Sequence, residues 1–372
     1  MAPAAIAAPQ GNTVTLTTTP KRLKVSSTSS RKDSKLLDDH AVIVGIDTYP
    51  GLSPLGGPCE DARLIREWLV DPTCGDIPVG NVKVLLTSDY HPPGPTNVND
   101  VHPVEDEVND LFRPLVTQGL MNGRIGRRLF IYLAGHGFSD PSDMASAALF
   151  AANAEMVFAP HIAGTAYANW FRRNGVFDEI VLIMDCCRTV NPMQSIRPPP
   201  LPNTNQPSQA AKVRTFYAFG TSWGAVARER PINGSIRGIF TTALLESLSS
   251  ARPNKNGRVT GQIVKNYVHN IIDRVADGTE ISPPEIQVDS NGDIALVERP
   301  QAPQFTANFT LVPHSGDETL LVTDGTGNVQ HISCDNARES LPLSPGLYKV
   351  LVQGTDRSKL FEMVNEDVDI TL

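Results

Sequence analysis

Through the middle of this chain, continuous apolar runs alternate with stretches of helical periodicity. AVIVGI (41–46) carries no polar side chain on either face, the pattern of a strand buried on both sides of a sheet. CEDARLIREWLV (59–70) follows, with Ala62, Ile65, Trp68 and Leu69 on one helical face. VKVLLTS (82–88) predicts a second strand, and 104–119 a helix with acids in its first turn, where the helix dipole favours them. RRLFIYLAGHG (127–137) is a third strand, 161–175 a third helix closing on Gly175, and EIVLIMD (179–185) a fourth strand. TFYAFGTS (215–222) predicts a fifth strand, 238–250 and 260–276 two more helices, and DIALV (293–297) is a further candidate for the same sheet. Strands alternating with helices require right-handed crossovers, so the expected fold class is α/β: a mostly parallel sheet flanked by helices in three layers, over residues 37–298.

Outside that core the pattern changes. Residues 1–36 are rich in Ala, Pro, Thr, Ser, Lys and Arg, with too little apolar surface to offset the entropy of ordering; a flexible leader is expected, with a processed propeptide as its functional version. The stretch 191–214 is Pro-, Asn-, Gln- and Ser-rich without periodicity, and a structureless loop of that length inside a domain points to function or disorder. After a linker at ERPQAPQ (298–304), residues 304–372 read as short strands broken by turns such as DGTGN, predicting a small all-β sandwich-like module.

Composition narrows the function. The chain has 372 residues, 40% hydrophobic and 19% charged, with a net charge of −8 and no dense basic cluster, so nucleic acid is not an expected partner. No apolar run approaches the roughly 18 residues needed to span a bilayer, and MAPAAIAAPQGN lacks the charged start and apolar core of a signal peptide. Its five cysteines (Cys59, Cys74, Cys186, Cys187 and Cys334) are scattered and lack the paired spacing of a zinc site. His331 lies three residues from Cys334 but has no partners that would complete a metal site. Such thiols suit a reducing compartment, and the cytoplasm is the expected location. No cofactor and no metal is predicted; DEVND and DGTGN lack the spacing of an EF-hand, so no calcium requirement is predicted.

Two strands end in reactive groups. The third ends in Gly135-His136-Gly137 and the fourth in Asp185-Cys186-Cys187-Arg188. Reactive groups of an open parallel sheet gather at the carboxyl ends of its strands, so imidazole and thiol are expected on one edge. Successive side chains on a strand face opposite ways, so only one of the two thiols can look toward His136; the other packs as a small apolar group.

A strand ending in HG, followed 51 residues later by D-x-C, resembles the caspase-like cysteine peptidases (peptidase C14 type), most closely their metacaspase and prokaryotic branch. AVIVGIDTYP, LGGPCEDA (55–62) and GIFTTALL (238–245) fit the same family, so the resemblance covers about 38–298. Aligning Asp185 with the family's D-x-C assigns Cys187 as nucleophile and leaves Cys186 as the intervening residue. His136 would accept the thiol proton and protonate the departing amine, and by resemblance the N–H groups of Gly137 and Cys187 would hold the oxyanion.

The resemblance also implies a specificity. Asp61 and Asp185 correspond to the acidic pair of a metacaspase S1 pocket, where two carboxylates favour a guanidinium fork over an ammonium, so cleavage after Arg, then Lys, is expected. Asp61 would otherwise serve only as an N-terminal helix acid, with Glu60 as the weaker substitute. Ser222-Trp223 is expected to flank the substrate, Trp223 being equally suited to the core. The 191–214 loop would join the family's two subunit halves and occlude the slot until cut, at Lys212 or Arg214 rather than at Arg197, whose following proline blocks most proteases. The expected partners are protein or peptide substrates and an upstream activating protease or regulator. A bacterial stress, cell-death or antiviral-defence role follows from resemblance alone; the alternative is a pseudoprotease scaffold that binds protein partners.

Overall fold

A computed structural model describes residues 38–90, 97–190, 194–290, 292–298, 304–314, 316–325, 329–364 and 366–372. The leader expected over 1–36 lies outside the described residues. The chain enters through β1 (His40–Gly45), buried from Ala41 onward as its apolar run predicts. α1 (Pro58–Val70) starts on a proline, where no helical N–H is lost, and places Glu60 and Asp61 in its first turn. β2 (Val82–Leu86) ends two residues short of expectation because 87–89 form a 3-10 turn. At the start of α2 (Glu105–Asn122), the Glu107 carboxylate accepts the backbone N–H of Val104 at 2.8 Å.

β3 (Gly126–Gly135) ends two residues before the expected third strand does. The chain turns at His136 into β4 (Gly137–Asp140) and β5 (Asp143–Phe150), an antiparallel extension unforeseen in the sequence. β6 (His161–Ile162) pairs with β5 and takes the first residues of the expected third helix, so α3 (Gly164–Asn174) starts later and closes on Gly175 in the left-handed region. β7 (Phe177–Cys186), β8 (Thr189–Val190), the single turn α4 (Pro207–Ala210) and β9 (Arg214–Phe219) follow. β10 (Glu229–Ile232) and β11 (Ser235–Gly238) form a hairpin that leads into α5 (Ile239–Ser250). β12 (Arg258–Thr260), α6 (Gly261–Ala276), β13 (Glu285–Val288) and β14 (Ala295–Glu298) complete the α/β part.

The central sheet runs β13-β9-β7-β3-β1-β2, parallel except for β13. This corrects the expectation for 293–297: that segment pairs with β12 outside the sheet, and the edge is closed by EIQV. An edge strand open to solvent on one side can carry Glu285 and Gln287, which is why its polar sequence hid it. β7 shows the three-layer logic. Val181 and Ile183 point into a core with α1, α5 and α6, while Ile180, Leu182 and Met184 point into another with α2 and α3.

The C-terminal residues form β15 (Phe305–Thr310), β16 (Glu318–Asp324), β17 (Val329–Cys334), β18 (Arg338–Leu343), β19 (Gly346–Val352), β20 (Ser358–Met363) and β21 (Val368–Thr371). They make two sheets, β18-β15-β21 and β17-β16-β19-β20, over one core that includes Phe309, Leu320 and Val350. Arg252, just past α5, reaches this module through Asp324 at 2.9 Å and Tyr348 at 3.2 Å. No helix among the described residues is long and apolar enough to cross a membrane.

Candidate active site

Parallel pairing of β3 with β7 sets Ala134 against Asp185 and Gly135 against Cys186. One step further, His136 and Cys187 leave the sheet on neighbouring strands, whose axes in any sheet lie roughly 4.8 Å apart. Both line one cavity of about 280 Å³. Pleating separates the two thiols: Cys186 is 1% exposed and packs in the core beside α3, whereas Asp185 and Cys187 face the cavity. A side chain at position 137 would sit 2.6 Å from the Cys186 sulfur, so glycine is required there. Burial drives the Cys186 thiol far above its ordinary range, leaving it protonated and inert.

His136 is held from two sides. Its Nε2 lies 2.8 Å from the Ser53 carbonyl, which can only accept; Nε2 therefore carries a proton, and in the neutral ring Nδ1 has the lone pair. The Tyr49 ring packs 4.9 Å from the imidazole, and its hydroxyl accepts the His136 backbone N–H at 3.0 Å. Gly135, at φ 150°, leaves the space that this hydroxyl fills. Cys187 Sγ lies 3.9 Å from the Ala227 carbonyl. Burial raises the pKa of this thiol, Asp185 pushing the same way and Arg228 opposing. Among the described hydrogen bonds, none joins His136 to Cys187 directly.

The cavity floor is acidic. Asp61, brought by the first turn of α1, is 1% exposed, and Asp185 stands two residues before the thiol. Asp185 accepts the Thr241 backbone N–H at 3.2 Å and its hydroxyl at 2.6 Å. Asp61 accepts the Gly238 N–H at 2.6 Å, and the guanidinium of Arg237 rests on its other oxygen. Burial raises the Asp61 pKa to about 7, with Asp185 adding to the rise and Arg237 opposing it. Asp185 is likewise raised, by burial first, against the Thr241 hydrogen bonds.

A third carboxylate, Glu229, also lines the cavity and accepts the N–H groups of Gly56 and Gly57, both at 2.9 Å, at the start of α1. Sequence reasoning missed Glu229 and Arg237, which arrive together on the β10–β11 hairpin. A signal existed: Asn233-Gly234, both at positive φ, is the pair that two-residue hairpin turns favour.

Other predicted residues fall elsewhere. Ser222 donates to the Pro283 carbonyl at 2.8 Å, and the Trp223 indole N–H is buried; neither lines the cavity, whose wall is Val226–Glu229 instead. The wall begins four residues beyond the expected flank, after the chain has turned at Gly224 (φ 78°). Arg214 is not in a loop: it opens β9, and its guanidinium pairs with buried Glu179, so a cut there would open the central sheet. Lys212 is exposed beside α4. Arg197 is exposed, with its side chain near Glu105 and its N–H on His161. No described residue of 194–214 lines the cavity; the segment instead follows α3, accepting Trp170 Nε1–H at Pro202 and donating from Gln206 to Arg173. Among the described residues, no cluster of three or more His, Cys, Asp or Glu is arranged to hold a metal.

The chain is similar to several known proteins. The caspase domain family (peptidase C14) matches residues 38–310. A probable protease from a Desulfuromonadales bacterium is 26% identical over 222 residues, covering 57% of this chain and 26% of that protein. The chain thus spans about a quarter of the length of that curated relative. Among solved structures, protein GSU0716 from Geobacter sulfurreducens shares 12% identity at a TM-score of 0.41, over 71% of this chain and 98% of that one. Caspase-1 from Spodoptera frugiperda shares 13% identity at a TM-score of 0.44, over 71% of this chain and 91% of that one. The family match takes in the whole central sheet together with both strand ends that carry His136 and Cys187, and the chain belongs to the caspase-domain family of peptidases.

Proposed function

We propose that this chain is a cysteine endopeptidase that cleaves after arginine and, less well, after lysine. One observation carries the reading: Cys187 and His136 share a cavity with three carboxylates, Asp61, Asp185 and Glu229. A substrate guanidinium can bridge two carboxylates in a planar fork, whereas an ammonium meets them as a point charge.

The chemistry follows from the group positions. Nδ1 of His136 accepts the thiol proton, and the thiolate attacks the carbonyl carbon of the scissile bond. The imidazolium then gives its proton to the departing amine as the C–N bond breaks, leaving a thioester on Cys187. Water, deprotonated by His136, attacks that thioester and releases the carboxylic acid and the thiol. The N–H groups of Gly137 and Cys187 are the candidate oxyanion donors. A thiol raised by burial needs the base more than a free one would, so the two residues act as a unit.

Processing between β8 and β9 is assigned to Lys212, the exposed basic residue of that segment that is neither in the sheet nor followed by proline. Cleavage there would act by freeing segment ends near α3, since no described part of the segment covers the cavity.

The test is hydrolysis of fluorogenic peptides ending in Arg, Lys or Asp by the wild-type chain and by Cys187→Ala. Thiol-dependent turnover in the order Arg, Lys, with none after Asp, is expected. Turnover preferring Asp would remove the acidic-pocket reading. No turnover after processing would favour a scaffold that binds protein partners.

A further inference from the structure

The acidic cavity accounts for only one side of the scissile bond. A second groove, of about 570 Å³, opens on the other side of the catalytic pair; the two cavities have His136 and Cys187 in common and no other lining residue. Its lining is of another kind, with Pro50, Leu52, Phe150 and Met156 joined by Thr189 and no Asp, Glu, Lys or Arg side chain. Resting on the peptidase reading above, we propose that this groove binds the leaving-group half of the substrate and selects a large apolar residue immediately after the scissile bond.

The direction comes from the proton. His136 must deliver it to the departing amine, so the amine and the residue attached to it lie on the imidazole side of Cys187. When the residue before the bond fills the acidic cavity, the residue after it passes His136 into the second groove. The groove floor is tied to that same imidazole: the Phe150 N–H donates to the His136 carbonyl at 2.9 Å, and Phe150 stacks on Phe138 with ring centroids 4.8 Å apart. The apolar surface is therefore set in place by the backbone that positions the base.

The rim adds an independent observation. Met156, Val157 and Phe158 are 79%, 81% and 72% exposed, three consecutive large apolar side chains held out into water. They sit on a tight turn closed by Glu155 N–H to Phe158 O at 2.7 Å; Glu155 is bridged to Gly51, which lines the groove together with Met156. A fixed apolar knuckle at the mouth of an uncharged groove costs solvation when empty and recovers it when an apolar chain is laid across it. Continuity with the catalytic pair identifies that chain as the substrate.

Two substrate sets test this. In the first, quenched peptides share Arg before the bond and carry Leu, Phe, Ser, Asp or Lys after it. In the second, N-benzoyl-arginine methyl ester offers a leaving group too small to reach the rim. For the wild type, kcat/KM is expected to be about tenfold higher with Leu or Phe than with Ser, and lower still with Asp or Lys. The preference should be absent from a deacylation-limited kcat, because the leaving group has departed by then. The M156S/V157S/F158S variant, altered only at exposed positions, should lose most of the Leu and Phe advantage while hydrolysing the ester at the wild-type rate.

Ester turnover with equal rates for all leaving residues would overturn the subsite and leave the peptidase reading standing. Absence of Cys187-dependent ester turnover would overturn the peptidase reading itself. A rim variant that keeps the preference but changes the oligomeric state in sedimentation would reassign the knuckle to self-association and also overturn the proposal.

Discussion

The guanidinium of Arg237 rests on the carboxylate of Asp61 at the floor of the acidic cavity, so the chain supplies its own cation to the pocket proposed for a substrate cation. The pairing is incomplete as a neutraliser. Two further carboxylates share the space against one more guanidinium, Arg228, and even with Arg237 beside it Asp61 is raised by burial to about 7. The arrangement suits a site that must stay folded without substrate yet retain attraction for one.

That raised pKa makes stability depend on pH in a definite direction. The folded state holds the Asp61 proton up to about 7, while the unfolded chain releases it near the ordinary aspartate value of 3.8. The stabilisation is therefore fully present below the unfolded value and is lost as pH climbs toward 7, amounting to a few kcal/mol at about 1.4 kcal/mol per unit. Thermal unfolding of the wild type should fall more steeply between pH 4.5 and 8 than that of Asp61→Asn. Parallel curves for the two proteins would mean that Asp61 does not titrate in this window.

The adjacent thiols should separate cleanly by substitution. Cys187→Ala is expected to lower turnover by at least about 10³, since the nucleophile is gone. Cys186→Ala should keep activity and cost about 1 kcal/mol from the small void left in the core. Iodoacetamide followed by peptide mapping should label position 187 and spare 186, which is buried and held protonated. Labelling of 186 in the folded protein would reverse the assignment.

Much of this was legible in the sequence because buried parallel strands leave an unmistakable apolar signature. β1, β3 and β7 were readable from their composition, and alternation along EIVLIMDCC shows that only one sulfur can share the face of His136. What escaped was held by groups with no such signature. The Ser53 contact to His136 is a backbone carbonyl, which any residue could supply. Glu229 and Arg237 sit on a short, half-exposed hairpin whose polar sequence resembles a loop, and their partners, Gly56 and Gly57 for Glu229 and Asp61 for Arg237, lie more than 170 residues away in sequence. EIQV closes the sheet at an edge where polarity is tolerated, so the more apolar DIALV looked the better strand.

Tyr49 fixes the base through its hydroxyl, which accepts from His136 N and lies 3.4 Å from the Phe150 carbonyl. Tyr49→Phe keeps the ring packing but leaves a backbone N–H without its acceptor, a loss of about 1–3 kcal/mol when buried. The expected result is a fall in kcat of about tenfold with KM nearly unchanged. A change confined to melting temperature, with wild-type kcat, would limit Tyr49 to a packing role.

Glu229 offers the sharpest test of how the pocket recognises charge. Its carboxylate does two jobs: it accepts two backbone N–H groups at the start of α1 and it faces the cavity. Glu229→Gln keeps an acceptor oxygen for the first job and removes the charge needed for the second. Against peptides with Arg before the scissile bond, kcat/KM should fall about tenfold, mostly through KM, as expected for losing one charged partner of a desolvated guanidinium. The same peptides carrying citrulline, which matches arginine in shape but has no charge, should be cleaved slowly and equally by both proteins. If the citrulline peptide suffers the same loss as the arginine peptide, Glu229 acts by anchoring the hairpin, and charge recognition rests on Asp61 and Asp185 alone.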